Sequence, residues 1–155
     1  MLRAFVRHGL LAQCERDEMG GWAHGGGFSL GRPGRLSLFE SAKPSVAAVD
    51  AAARKIGGNR VVAERRDLFR NPLSEKEFDG FDAIALDPPR AGAAAQVVEI
   101  ARSKVARVIY ASCDPGSFAR DAYALQDGGY RLEPLKPIGQ FLWAGHVELI
   151  ALFVK

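Results

Sequence analysis

Phe81-Asp-Ala-Ile-Ala-Leu-Asp-Pro-Pro-Arg-Ala-Gly92 reads as a buried strand, Phe81 to Leu86, that stops at Pro88-Pro89. Each proline fixes its own φ and restrains the residue before it, so Asp87 is set rigidly just past the strand. Ala93 to about Ser103 follows as a helix, Arg107 to Ala111 as a second apolar strand, and Pro115 to Asp127 as a helix closed by Gly128-Gly129. Strand and helix alternate, which calls for a parallel sheet with helices on both faces.

The same rhythm extends both ways. Upstream, Arg35 to Glu40 is a short strand, Pro44 to Ile56 a helix stopped by Gly57-Gly58, and Val61 to Ala63 a strand leading to Asp67. Downstream, Tyr130 to Leu135 and Val147 to Val154 are strands with no helix between them, so the last should run antiparallel to its neighbours. The fold class expected is α/β, a Rossmann-like sheet, mostly parallel, with an antiparallel last strand. Residues 35–155 carry it. Residues 1–34 read as an irregular segment. Met1 to Gln13 is compatible with one helix, and Glu15 to Gly34 is polar and glycine-rich with no period.

The 155 residues suffice for one domain with a real core. The net charge of +3 permits an RNA or phosphate partner without requiring one. Cys14 and Cys113 are too few for a disulfide framework or a zinc site and fit a reducing cytosol, so a cytoplasmic location is expected. No apolar run has membrane-spanning length. Arg3 and Arg7, with no acid before Glu15, faintly resemble an organellar transit peptide, a pattern that short starts also show by accident.

In parallel sheets of this kind ligands sit outside the carboxyl ends of the strands. Those ends carry Glu40, Asp67, Asp87 and Cys113. Glu40 can take both hydroxyls of a ribose, or it is a capping or surface acid. Asp67 can accept from an adenine amine, or pair with Arg65 or Arg66. Asp87 is a ligand-facing carboxylate or a plain strand terminator. Cys113, in Tyr110-Ala-Ser-Cys-Asp-Pro115, precedes a helix whose positive end favours a thiolate, whereas the charge of Asp114 opposes one. An inert buried thiol is the blander reading. Glu148, in Gly145-His-Val-Glu148, opens the last strand as a possible base. His146 beside it is a second candidate base, although a Cys-His protease needs more than this.

In this order and spacing, Asp87-Pro-Pro-Arg-Ala-Gly92, Tyr110-Ala-Ser-Cys-Asp-Pro115 with Ala119-Arg-Asp121, and Gly145-His-Val-Glu148 resemble class I S-adenosylmethionine-dependent RNA 5-methyluridine methyltransferases. The resemblance covers residues 35–155, the C-terminal catalytic domain of that family. It implies transfer of a methyl group from S-adenosylmethionine to carbon 5 of a uridine in ribosomal or transfer RNA, with Cys113 as nucleophile and Glu148 as base. It implies that Glu40, Asp67 and Asp87 bind the cofactor. Asp87, Arg90 and His146 would meet the substrate.

The chain also departs from the family. Members usually have Asn at the position of Asp114, and they open the sheet with a strand and an acidic, glycine-rich turn. Here only Gly25-Gly-Gly-Phe-Ser-Leu30 resembles that turn, so the first strand is expected to be incomplete. The iron–sulfur cysteine set and the small RNA-binding barrel of many members have no counterpart. A central strand lost from the sheet would expose inner edges and invite pairing between chains. Two other functions therefore stand beside the first: a non-catalytic remnant that binds RNA weakly, and an N-methyltransferase acting on an exocyclic amine. The last usually has an aromatic after the prolines, where this chain has Arg90, and needs no Cys113.

Overall fold

The computed structural model describes residues 4–7, 35–55, 61–139 and 147–155. In chain order the elements are β1 (Ala4–Arg7), β2 (Arg35–Glu40), α1 (Lys43–Lys55), β3 (Val61–Arg65), β4 (Phe81–Leu86), α2 (Ala94–Arg102), β5 (Arg107–Ser112), α3 (Pro115–Asp127), β6 (Arg131–Leu132), β7 (Lys136–Gly139) and β8 (Val147–Val154). A 3-10 turn, Glu75–Phe78, lies before β4. The sheet order is β3-β2-β1-β4-β5-β8-β6, with β7 also paired to β8.

β2 and β3 are parallel, as are β4 and β5. β8 runs antiparallel to β5, β6 and β7, as the absence of a helix before it requires. Alternate residues of β5 and β8 share one face. Val108 lies opposite Phe153 and Tyr110 opposite Ala151, and all four are buried with Ile84 and Leu86 of β4. Val97 and Ile100 of α2 and Phe118, Ala122 and Leu125 of α3 complete this core. Leu36 and Leu38 of β2 form a smaller cluster with Val49 of α1.

The N-terminal segment corrects an expectation. Ala4–Arg7 is a strand, not part of a helix over 1–13. It is only four residues long, but it fills the slot between β2 and β4 and is antiparallel to both. Two ready-made partners outweigh the local helical preference of a short apolar stretch. The inner edges of β2 and β4 are therefore paired. The outer edge, β3, is short and carries Glu64 and Arg65, features that discourage edge pairing.

The reversed sense of β1 has a consequence for the ligand-binding edge. Arg7 lies opposite Arg35, at the amino end of β2, and Ala4 lies opposite Leu38. The chain thus leaves β1 on the side of the sheet away from Glu40.

Of the strand expected over 130–135 only Arg131–Leu132 (β6) forms, and a further strand, β7, follows at Lys136–Gly139. Arg131 and Leu132 pair with Val154 and Phe153, whereas Lys136 pairs with Ile150, a shift of one residue in register. Pro134, between them, has no N–H to donate, and Pro137 sits where an outer strand tolerates it.

α3 ends close against α2. A Cβ added at Gly128 would lie 2.6 Å from Ala101 Cβ and 2.7 Å from its carbonyl oxygen. Backbone cannot yield cheaply, so Gly128→Ala should destabilise the chain by about 2 kcal/mol. The midpoint of thermal unfolding should fall by roughly 5 °C, measured by circular dichroism. An unchanged midpoint would mean that the helices can separate freely.

Candidate functional site

The carboxyl ends of β2, β3 and β4 open onto a cleft of about 270 Å³, lined by Phe39, Glu40, Arg66, Asp67, Phe69 and Pro89 among others. Two of the acids expected at a ligand, Glu40 and Asp67, line it, and Pro89 adjoins the Asp87 turn.

Glu40 is only 6% exposed. Its Oε1 accepts from Ala42 N–H at 2.9 Å and Ser41 Oγ at 3.1 Å. Burial opposes its charge, but hydrogen bonds, these two among them, outweigh burial and hold the carboxyl below the usual carboxylate range. Glu40 is thus no surface acid. It bonds the turn before α1 and also faces the cleft.

Asp67 is exposed, and its Oδ1 accepts from Phe69 N–H at 3.0 Å, which shapes the turn after β3. Its nearest cation is Arg70, at 3.8 Å. Arg65 donates instead to the Ser41 carbonyl, and Arg66 to Glu77 at 2.6 Å. The arginines weighed against Asp67 therefore have other partners. The Arg66 hydrogen bond pushes Glu77 down to about 2. Phe39 and Phe69 supply apolar walls that the motifs did not single out.

Asp87 and Arg90 are exposed on the turn between β4 and α2, while Pro88 is buried. The turn closes with Gly92 N–H donating to the Pro89 carbonyl at 2.8 Å.

Cys113 is half-buried in the bend between β5 and α3. Asp114 caps α3: its Oδ1 accepts from Ser117 N–H at 2.8 Å. The Ser117 hydrogen bond above all, and to a smaller extent the Arg90 guanidinium, hold the Asp114 carboxyl below its ordinary range. Arg90, on the Asp87–Gly92 turn, thus bears on the residue next to Cys113. Ser112 Oγ holds the bend, accepting from Asp114 N–H at 3.2 Å and donating to its carbonyl at 3.0 Å.

Glu148 opens β8 and is half-buried. Ser112 pairs with Leu149 in the β5–β8 ladder, so Cys113 and Glu148 are the next residues on the two sides. The ladder ends at that pair, and Cys113 sits in the bend just beyond it. His146, the other candidate base, lies outside the described residues.

Motif reading quoted Asp121 without a role. It is a buried acid bonded to Tyr110 Oη and to Ala93 N–H. The signal was present: Asp121 interrupts the apolar stripe of α3 formed by Phe118, Ala122 and Leu125. Among the described residues no group of acids, histidines and cysteines could hold a metal ion. No helix of the described residues is long and apolar enough to cross a membrane.

Comparison with known proteins gives the family. The family model described as tRNA (uracil-5-)-methyltransferase matches residues 43–155. An uncharacterized RNA methyltransferase of Brucella suis biovar 1 (strain 1330) is 49% identical over 121 residues, covering 77% of this chain and 29% of the relative. The 23S rRNA (uracil(1939)-C(5))-methyltransferase RlmD of Pseudomonas putida is 42% identical over 113 residues, covering 69% of this chain and 25% of its own. The solved Pyrococcus abyssi tRNA (uracil-54, C5)-methyltransferase, in complex with S-adenosyl-L-homocysteine, superposes with a TM-score of 0.62 at 28% identity. That match covers 75% of this chain and 28% of the archaeal one. The chain thus spans less than a third of the length of these relatives.

Proposed function

The chain belongs to the tRNA (uracil-5-)-methyltransferase family, and from that premise we propose that it is the catalytic portion of an enzyme that methylates carbon 5 of a uridine in ribosomal or transfer RNA. The observation that carries this reading is the Ser112–Leu149 pair that ends the β5–β8 ladder, with Cys113 and Glu148 the next residues along the two chains, together with a carboxylate-lined cleft at the ends of β2 to β4.

The residues of the cleft fit S-adenosylmethionine as far as they go. The two oxygens of Glu40 suit a ribose diol, Phe39 and Phe69 suit the faces of a purine, and Asp67 suits an exocyclic amine. By the family resemblance, Asp87 would lie between cofactor and uracil. When bound there, S-adenosylmethionine supplies the electrophilic methyl group that carbon 5 takes up.

The chain's own residues would do the rest. Carbon 5 of uracil is a poor nucleophile. Cys113 Sγ forms a bond to carbon 6, and the electron pair displaced from the double bond makes carbon 5 electron-rich. After methylation carbon 5 still holds a proton. Glu148 takes that proton, the 5,6 double bond re-forms, and the Sγ–carbon 6 bond breaks to return a thiolate. The uridine must leave its stack to reach Cys113, which favours loops and single-stranded RNA. Arg90 is suited to a phosphate or to the ring.

One observation favours the second reading, a non-catalytic remnant with weak RNA binding. β1 runs antiparallel to β2 and β4, with Arg7 opposite Arg35, at the end of β2 away from Glu40. A cofactor-binding turn following the first strand would need the opposite sense. A thermal melt with and without S-adenosylhomocysteine separates the two. Ligand at a hundredfold excess over its Kd stabilises the folded chain by about 2.7 kcal/mol. An upward shift supports the enzyme, and a cooperative melt with no shift supports the remnant.

A further inference from the structure

Asp121 is 1% exposed in the middle of α3, and its two oxygens serve different elements. Oδ2 accepts from Ala93 N–H at 2.6 Å and from Tyr110 Oη at 2.5 Å. Oδ1 accepts from Arg120 Nε at 3.0 Å and Nη2 at 2.8 Å. Arg120 carries the link onward, with Nη2 donating to the Ala91 carbonyl at 2.9 Å. Between Ala91 and Ala93, Gly92 has φ +80°, and a Cβ there would lie 2.5 Å from Arg120 Nη2 and 2.6 Å from Asp121 Oδ2. Only glycine permits that approach.

One ion pair therefore pins three consecutive residues, 91–93. An apolar residue would fill this position of α3 at lower desolvation cost, so a buried carboxylate with four donors is better explained by the geometry it fixes. Burial, and next the Asp121 hydrogen bond, push the Tyr110 phenol far above its ordinary value, so it remains a donor. What is fixed lies next to the proposed chemistry. The pinned residues end the turn that carries Asp87 and Arg90. Tyr110 precedes Cys113 by three residues, and α3 begins two residues after it.

We propose that Arg120 and Asp121 are positioning residues that hold the Asp87–Gly92 turn against the Cys113 bend, and so keep the charge of Arg90 beside the thiol. This deepens the methyltransferase reading and rests on it for its purpose, but its test does not require methyl transfer.

The test compares alkylation of Cys113 by iodoacetate, an anion, and by iodoacetamide, which is neutral. Labelling is read at the Cys113 peptide by mass spectrometry. A nearby cation favours the anionic reagent, so Arg90→Ala should lower the iodoacetate-to-iodoacetamide rate ratio about threefold. Asp121→Asn keeps an oxygen for Ala93 and Tyr110 but removes the charge that holds Arg120. By charge alone it would raise the ratio. Released from its clamp, the turn withdraws Arg90, and the ratio should instead fall about as far as in Arg90→Ala. Combining both substitutions should lower it no further.

A role confined to stability would change both rates together and leave the ratio alone. A ratio that holds or rises in Asp121→Asn overturns the proposal, as does an unchanged ratio in Arg90→Ala. Should Asp121→Asn fail to fold, Arg120→Lys decides: it keeps the charge but loses the two-pronged contact, so its ratio should fall, and an unchanged ratio overturns the clamp. A ratio that behaves as expected in a chain forming no adduct with 5-fluorouridine RNA leaves the clamp standing and fails the methyltransferase reading.

Discussion

A Cys113→Ala chain is expected to form no covalent complex with 5-fluorouridine RNA while keeping its cooperative melt. Fluorine on carbon 5 cannot leave as a cation, so the step in which Glu148 removes a proton is blocked. The Sγ–carbon 6 bond should then survive on a denaturing gel when cofactor is present. Removing the sulfur removes the bond itself, and turnover should fall by at least roughly four orders of magnitude, as for other nucleophiles that act within a catalytic unit. Stability should change little, because Cys113 is half-buried in a bend and contributes no hydrogen bond to the ladder. Cys14→Ser is the control and should retain the adduct. An adduct that persists in Cys113→Ala would move the nucleophile elsewhere and sink the assignment.

The parts of this fold that were legible in the sequence are those with local punctuation. Phe81–Leu86 is bounded by two prolines, and Pro115–Asp127 by a capping acid and two glycines, so both elements were read with their observed limits. β8 was legible as an apolar run, and its sense followed from the lack of a helix before it. β1 was not legible. Its four residues are a strand because β2 and β4 flank them, and those partners lie about 30 and 80 residues away in sequence. The break between β6 and β7 is likewise set by pairing with β8, and Pro134 alone did not reveal it.

The site divides in the same way. Acids at strand ends were visible because strand ends were visible. The cleft walls Phe39 and Phe69 were not, since one closes a strand and the other follows a turn with no motif to mark it. The Arg120–Asp121 clamp joins a backbone N–H, a carbonyl and a phenol from separate segments, a combination that no spacing rule captures. The placing of Cys113 and Glu148 next to the Ser112–Leu149 pair is also a matter of register. The residues are separated by 35 positions in sequence, and only the pairing of Ser112 with Leu149 brings their strands into step. A shift of one residue would turn Glu148 to the opposite face. β5 and β8 are fixed against such a shift by Val108, Tyr110, Leu149, Ala151 and Phe153, all buried. Core packing on one face of the sheet therefore sets the register at the end where Cys113 and Glu148 lie.

That dependence makes Glu148→Gln the most informative companion to the thiol variant. The amide is nearly isosteric, so the register and the position of the side chain should be kept, but it cannot accept a proton. Addition of Cys113 to carbon 6 and methylation of carbon 5 need no base at this position. Release does, because the sulfur cannot depart until carbon 5 gives up its proton. With unmodified uridine RNA and S-adenosylmethionine, the variant should accumulate a protein–RNA adduct that already carries the methyl group, and release should slow by about two to four orders of magnitude. The measurement is a denaturing gel with a radiolabelled methyl donor: label should travel with the protein–RNA band in Glu148→Gln and with free RNA in the unaltered chain. Free, unmethylated RNA and no adduct would mean that Glu148 acts before methylation or only supports the fold. An unaltered yield of free methylated RNA would assign the proton to another group.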